Sequence, residues 1–147
     1  MKISTKGRYG LRAIVDIALF SNGGKITLGS IAERLMVSEN YLEHIFAILR
    51  KMGMVKSIKG SKGGYFIAGS LSDLSVRTVL RSLEGDLSVI GDDDLYSDEN
   101  KIDTFLNLKL WSKIDNSIDK VVGSITINDL IREYKLKKDY NSFVYHI

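Results

Sequence analysis

The chain contains no cysteine and no proline, and only two histidines, His44 and His146, in 147 residues. Without cysteine there are no disulfides, no thiolate-held iron–sulfur clusters, no cysteine nucleophiles and no Cys-type zinc sites. Two histidines leave little for imidazole-based metal or acid–base chemistry. No run approaches the roughly 20 apolar residues of a membrane-spanning helix. The start, MKISTKGRYG, has neither an apolar core nor a small-residue cleavage site, so a secretory signal is not expected and the cytoplasm is the expected location. Enzyme chemistry finds no footing either. There is no histidine pair, no glycine-rich phosphate loop after a strand, and no pair of acids on an ordered frame.

What is present is an uneven charge. The net of +3 divides into +7 over residues 1–64 (11 Lys/Arg, 4 Asp/Glu) and −4 over residues 65–147 (10 and 14). A basic front joined to an acidic back suggests that the front meets a polyanion.

Hydrophobic spacing predicts mainly helix. Ser4 and Thr5 can cap a helix to about Phe20, with Leu11, Ile14 and Ala18 on one face and Ala13, Ile17 and Phe20 beside it. Thr27 caps a short helix to Leu35 that buries Ile31, Ala32 and Leu35. Met36-Val37 makes a tight connection, and Ser38 caps a third helix that buries Leu42, Ile45, Phe46 and Leu49 and ends before Gly53. Two short helices joined this way form a helix-turn-helix. Val55–Lys59 and Tyr65–Ala68 then flank a Gly/Lys-rich turn, a β-hairpin that serves as a wing. Ser75 caps a helix over Val76–Glu84, stopped by Gly85. Residues 86–103 lose periodicity and carry Asp92, Asp93, Asp94, Asp98 and Glu99, an acidic loop. Its carboxylates could offer oxygens to a divalent cation, but the spacing is not that of a calcium loop. A solvated loop is the expectation, with no metal site.

A long helix from about Thr104 to Val122 repeats Phe105, Leu108, Trp111, Ile114, Ile118 and Val121, and Gly123 ends it. Trp111 sits on that rhythm, so packing accounts for it better than ligand stacking. Thr126 and Asp129 form a capping pair for a short helix through Tyr134, and residues 135–147 are a basic, then aromatic tail. The expected fold is thus mainly α with a small β-hairpin wing.

The front half supplies groups suited to nucleic acid. With 42, 45, 46 and 49 inward, Glu39, Asn40, Glu43, Ala47 and Arg50 lie on or near the solvent side of the third helix. Asn can bond two edge atoms of adenine, and Glu can accept from the cytosine amino group. Glu43 either reads a base or is a solvated surface residue; Glu39 suits the dipole of the first turn. Lys59, Gly60 and Lys62 sit on the wing, where glycine permits close approach and lysine can reach the minor groove or a phosphate. Lys2, Lys6, Arg8 and Arg12, with Ser4, Thr5 and Tyr9, form a second basic cluster, and the amides of that helix start can hold a phosphate.

The runs STKGRYG (4–10), SENYLEHIFAILRKMGMV (38–55) and KGSKGGYFIA (59–68) resemble the bacterial winged-helix transcription regulators that include IscR, NsrR and CymR, and the likeness continues through LWSKIDNSI and ITINDLI. The resemblance implies a winged helix-turn-helix (1–85), an acidic loop (86–103), a long dimerisation helix with a short one after it (104–134), and a C-terminal tail (135–147). It implies a two-fold homodimer on a near-palindromic duplex, a repressor by family habit, with Ser38, Asn40, Tyr41, Glu43, Lys59 and Gly60 reading DNA. Lys59 departs from the common arginine and lacks its planar fork; His44 replaces a common glutamine. Cluster-bearing members place three cysteines where this chain has Gly91–Asn100, so no cluster and no other cofactor is expected.

The cluster-free CymR type is the nearest likeness. It implies control of cysteine metabolism with an enzyme of cysteine synthesis as partner, to which the tail residues Tyr145, His146 and Ile147 could dock. Packing of those aromatics on the long helix is the plainer alternative. A module that mainly docks a partner protein is the alternative to a DNA-binding regulator.

Overall fold

The computed structural model describes residues 2–91 and 101–145. Helix α1 spans Thr5–Phe20, α2 Leu28–Leu35 and α3 Glu39–Lys51; strands β1 (Val55–Ile58) and β2 (Gly64–Ile67) follow, then α4 (Val76–Glu84). A long helical rod runs from Lys101 to Ser124: α5 (Lys101–Leu106), one π turn (Asn107–Trp111) and α6 (Ser112–Ser124). Helix α7 covers Ile127–Tyr145.

The caps fall where the hydroxyl residues predict. Ser4, Thr27, Ser38 and Ser75 each accept from the backbone N–H three residues on, which satisfies one of the donors that a helix start leaves open. The turn between α2 and α3 is tight because Met36 takes a left-handed conformation, φ +59°, and Val37 N donates to Ala32 O at 3.0 Å. Ile14, Ile17, Ile31, Leu42, Ile45, Phe46, Leu49 and Val79 are fully buried and form one core. The hairpin pairs Val55 with Ile67 and Ile58 with Gly64. Ile26 adds a bridge to Tyr65, with N–H···O distances of 2.9 and 2.7 Å. Gly64 permits this approach, since a Cβ there would sit 2.7 Å from Ile26 O.

Helix α4 lies against α1, where Gly7 and Gly10 leave no Cβ between the helices and the side chains of Glu84 and Leu83 occupy that space. Helix α4 also holds α6: Asp119 takes Arg77 at 2.8 Å and Arg81 at 3.0 Å. Thr126 and Asp129 exchange side-chain–backbone bonds of 3.0 Å each, the predicted capping pair. Ile127 and Ile131 are buried in the front-half core, so the root of α7 completes the winged-helix body.

Five expectations change. Phe20 is 48% exposed, because it ends α1 at the lip of a groove and carries the Arg34 guanidinium on its ring, 4.7 Å from the centroid. Gly123 does not end the long helix: α6 continues through Ser124, and the Arg77 guanidinium packs where a Cβ of residue 123 would be. Residues 101–103 are helical, and 86–90 are fastened rather than loose. Leu87 is buried, Ser88 Oγ donates to Asp115 Oδ2 at 2.7 Å, and Val89 N to Asp115 Oδ1 at 2.8 Å. The acidic residues 92–100 lie outside the described residues. Finally, α7 does not stop at Tyr134 but runs to Tyr145, since Lys135–Lys138 are good helix formers and no glycine interrupts them. Its described residues from 132 on are exposed, so Tyr140 and Val144 do not pack on the long helix. His146 and Ile147 lie outside the described residues.

Candidate nucleic-acid interface

Three pieces of the front half carry exposed polar and basic groups: α3, the wing and the amino end. Helix α3 presents Asn40, Glu43, Ala47 and Arg50 to solvent while Leu42, Ile45, Phe46 and Leu49 face the core. Its start is pinned to α1 by the edge-to-face pair Tyr9–Tyr41, ring centroids 5.9 Å apart at 89°. Arg12 lies over the Tyr9 ring, 4.9 Å from its centroid. Tyr41 is thereby half-buried, a positioning contact between helices. Phe46 and Tyr65 (4.6 Å) fix the hairpin to the same helix.

Lys59, Gly60 and Lys62 are exposed at the wing tip. Gly60 has φ +107°, a conformation that side chains disfavour, so glycine shapes the tip as well as slimming it. Lys25 Nζ donates to Lys62 O and ties the wing to the α1–α2 loop; composition alone did not single out Lys25 for this work.

At the amino end Lys2, Thr5, Lys6 and Arg8 are exposed, and Arg8 reaches Thr5 Oγ1 at 3.5 Å. Ser4 is different. Its N–H donates to Glu84 Oε1 at 3.0 Å, its hydroxyl donates to the same oxygen, and Oγ accepts from Gly7 N at 3.1 Å. The chain's own carboxylate therefore already sits at the start of α1, where the sequence placed a phosphate. Glu39 is exposed but leans on α2: its carboxylate lies against Gly29 in the first turn of that helix, where a helix dipole favours negative charge. Ser38 uses Oγ to accept from Tyr41 N at 3.1 Å. Asn40, Glu43 and Arg50 remain the free reach of α3.

Buried Asp16, a residue whose role the sequence pattern did not announce, accepts two 2.8 Å bonds from Arg34. The hydrogen bond with Asp16 raises the Arg34 pKa above its ordinary value. This fork holds α2 to α1 and so sets the pose of the helix pair. An acid in an apolar helix face, with an arginine on the next helix, was its only trace in sequence.

A helix-turn-helix with an exposed polar edge, a basic wing and a basic amino end defines a winged-helix DNA-binding protein. Comparison with known proteins makes this specific. Residues 3–133 match the family described as Rrf2, iron-dependent transcriptional regulator. The chain is 37% identical over 130 residues to the HTH-type transcriptional regulator CymR of Bacillus subtilis, spanning 88% of this chain and 89% of that one. It is 32% identical over 136 residues to IscR of Vibrio atlanticus, spanning 90% and 76%. Among solved structures it superposes on CymR (YrzC), the global cysteine regulator of B. subtilis, with TM-score 0.78 and 35% identity, covering 90% of this chain and 98% of that one. For IscR of T. potens the TM-score is 0.72 at 38% identity, covering 91% and 88%. The chain belongs to the Rrf2 family of DNA-binding transcription regulators, and its relatives are regulators rather than enzymes.

The family description includes iron, yet the residues here do not fit a cysteine-held cluster. The chain has no cysteine, and among the described residues no three His, Cys, Asp or Glu side chains are grouped to hold a metal. No helix among the described residues is long and apolar enough to cross a membrane.

Proposed function

We propose that this chain is a homodimeric, sequence-specific repressor that binds a near-palindromic operator without an iron–sulfur cluster. The observation that carries the reading is the free polar edge of α3, with Asn40, Glu43 and Arg50 exposed beside a basic wing. In this reading α3 enters the major groove. Asn40 bonds an adenine edge and Glu43 accepts from a cytosine amino group. Lys59 and Gly60 approach the minor groove, and Lys62, Lys2, Thr5, Lys6, Arg8 and Arg50 meet phosphates. Ser38, Glu39, Tyr41, Tyr9 and Ser4 act one step back, by capping and aligning the helices.

Dimerisation through the 101–124 rod is supported by its large exposed apolar side chains and by the absence of any buried residue along it. The likeness to CymR supports a role in cysteine metabolism in the cytoplasm. The exposed end of α7, leading to Tyr145, His146 and Ile147, is the segment that would dock an enzyme of cysteine synthesis. Selection of duplexes from a random pool by the purified chain, with and without that enzyme, tests the reading. A two-fold symmetric site with fixed spacing is expected; a pool that stays random contradicts it.

A further inference from the structure

The 101–124 rod leaves the winged-helix body along α4, and three ties fix how. At the end of α6 the backbones join: Val76 N donates to Ile125 O at 2.9 Å and Ile127 N to Leu74 O at 2.8 Å. Further back along the rod, Asp119 meets Arg77 and Arg81. One turn before that, Asp115 accepts from Ser88 and Val89. At 1.5 Å per residue, Asp115 to Ile125 covers about 15 Å of the rod. The apolar share of this joint is thin. Helix α6 has no buried residue, and Val122 and Ile125 lie only partly against the core.

The backbone junction at Ile125 acts as a pivot, and the Asp119 cluster sets the angle about it. Arg77 is held by two acceptors of one residue, the Asp119 carbonyl at 2.9 Å and Oδ2 at 2.8 Å. Arg81 takes the remaining oxygen, Oδ1, at 3.0 Å. Gly123, one turn on, has no Cβ, and the Arg77 guanidinium fills that place, so this group is the spacer between α4 and α6. Its Nε is covered and finds no hydrogen-bond partner among the described residues. The side chains of Arg77, Asp119 and Arg81 are 37%, 40% and 53% exposed, and ion pairs this open add little to stability. A cluster that is weak as glue, retains an unsatisfied donor and is still closely specified in geometry is better explained by orientation than by stability.

Orientation matters where two half-sites are read at once. One inserted base pair moves the second half-site by about 3.4 Å and turns it by roughly 35°. Over an arm of about 20 Å, within the size of a small domain, a change of about 10° at the joint moves α3 by about 3.5 Å, close to that step. We propose that Asp119, Arg77 and Arg81 are specificity-determining residues for the spacing between half-sites. They fix the angle of the reading body on the rod and leave base choice to α3 and the wing. The assignment rests on the homodimer reading above and adds what measures the distance between the two reading heads.

The test titrates the full-length chain against three duplexes: the selected one, the same with one base pair inserted between the half-sites, and the same with one base changed inside a half-site. For the native chain the insertion is expected to weaken binding by roughly tenfold or more. Asp119→Ala, and Gly123→Ala, whose methyl evicts the Arg77 guanidinium, are expected to cut this spacing ratio at least threefold while the base-change ratio keeps its native value. Loss of the Asp119 charge strengthens binding to all duplexes alike and cancels in both ratios. Alanine suits a helix interior, so Gly123→Ala is expected to keep its fold; Arg81→Ala, at the most exposed member, serves if thermal melting shows the others unfolded. Folded variants with native spacing ratios overturn the proposal. So does a parallel fall of both ratios, which places the effect in the body rather than at the joint, and so does a native dimer indifferent to the insertion. A native chain that sediments as a monomer overturns the homodimer reading, and the spacing role with it.

Discussion

Glu84, the last residue of α4, accepts both the backbone N–H of Ser4, at 3.0 Å, and the Ser4 hydroxyl. A carboxylate from the body of the protein thus closes the start of the helix that carries Lys6 and Arg8. Glu84→Ala leaves these donors without a partner and is expected to destabilise the fold by about 1–3 kcal/mol, read by urea unfolding. The effect of Ser4→Ala on DNA affinity should follow this loss of order, leaving the salt slope unchanged, because Ser4 is engaged with protein and not with phosphate.

The Asp16–Arg34 fork joins α1 to α2 with the carboxylate buried and the guanidinium one-third exposed. Removing one member of a buried ion pair costs about 3–5 kcal/mol, and solvent at Arg34 reduces that here. Asp16→Ala is expected to lower stability by about 2–3 kcal/mol, measured by chemical denaturation. A loss below the level of an ordinary surface substitution contradicts the role assigned to the fork.

Asp129 has its pKa lowered, first by the backbone N–H of Thr126, then by the Thr126 side chain, with Arg132 adding to this. A group whose folded pKa lies below its unfolded value stabilises the fold above the unfolded value, near 3.9 for Asp. It loses that contribution as pH falls through the folded value. The stability gap between the native chain and Asp129→Asn should therefore be full at pH 7 and close in acid, below the ordinary carboxylate range. A gap independent of pH would show that the Asp129 charge is not what stabilises the start of α7.

Glu43 and Arg8 separate reading from holding. Glu43→Ala should relax base preference at one position in each half-site, a discrimination of about 1–3 kcal/mol. Arg8→Ala should weaken all sequences alike and reduce the magnitude of the salt slope by about 1 for each phosphate no longer neutralised. Selection of bound sites with each variant checks both. If Glu43→Ala selects the native site unchanged, Glu43 is a solvated surface residue.

The winged-helix body was legible because local signals and global packing agree there. Ser4, Thr27, Ser38 and Ser75 cap the helices they announce, and 42, 45, 46 and 49 face the core as their spacing requires. Legibility ends where a residue answers to a distant partner. Gly123 looks like a stop and is instead a clearance for Arg77; Glu39 looks like a dipole partner for its own first turn and its carboxylate lies against the first turn of α2; the start of α1 looks open to phosphate and holds Glu84. The rhythm of the long helix misled because one π turn shifts the phase of every position before it. The length of α7 escaped notice because Lys135–Tyr140 carries helix-forming residues without a clear apolar face.

The central claim, that the α3 edge and the wing meet a duplex, is tested most directly by equilibrium titration of the full chain against its selected duplex over a range of salt. Five exposed cations per protomer assigned to phosphates, Lys2, Lys6, Arg8, Arg50 and Lys62, predict a log–log slope of roughly −5 to −9 for a dimer, with scrambled duplex bound far more weakly. A slope near zero, or equal affinity for selected and scrambled duplex, contradicts it.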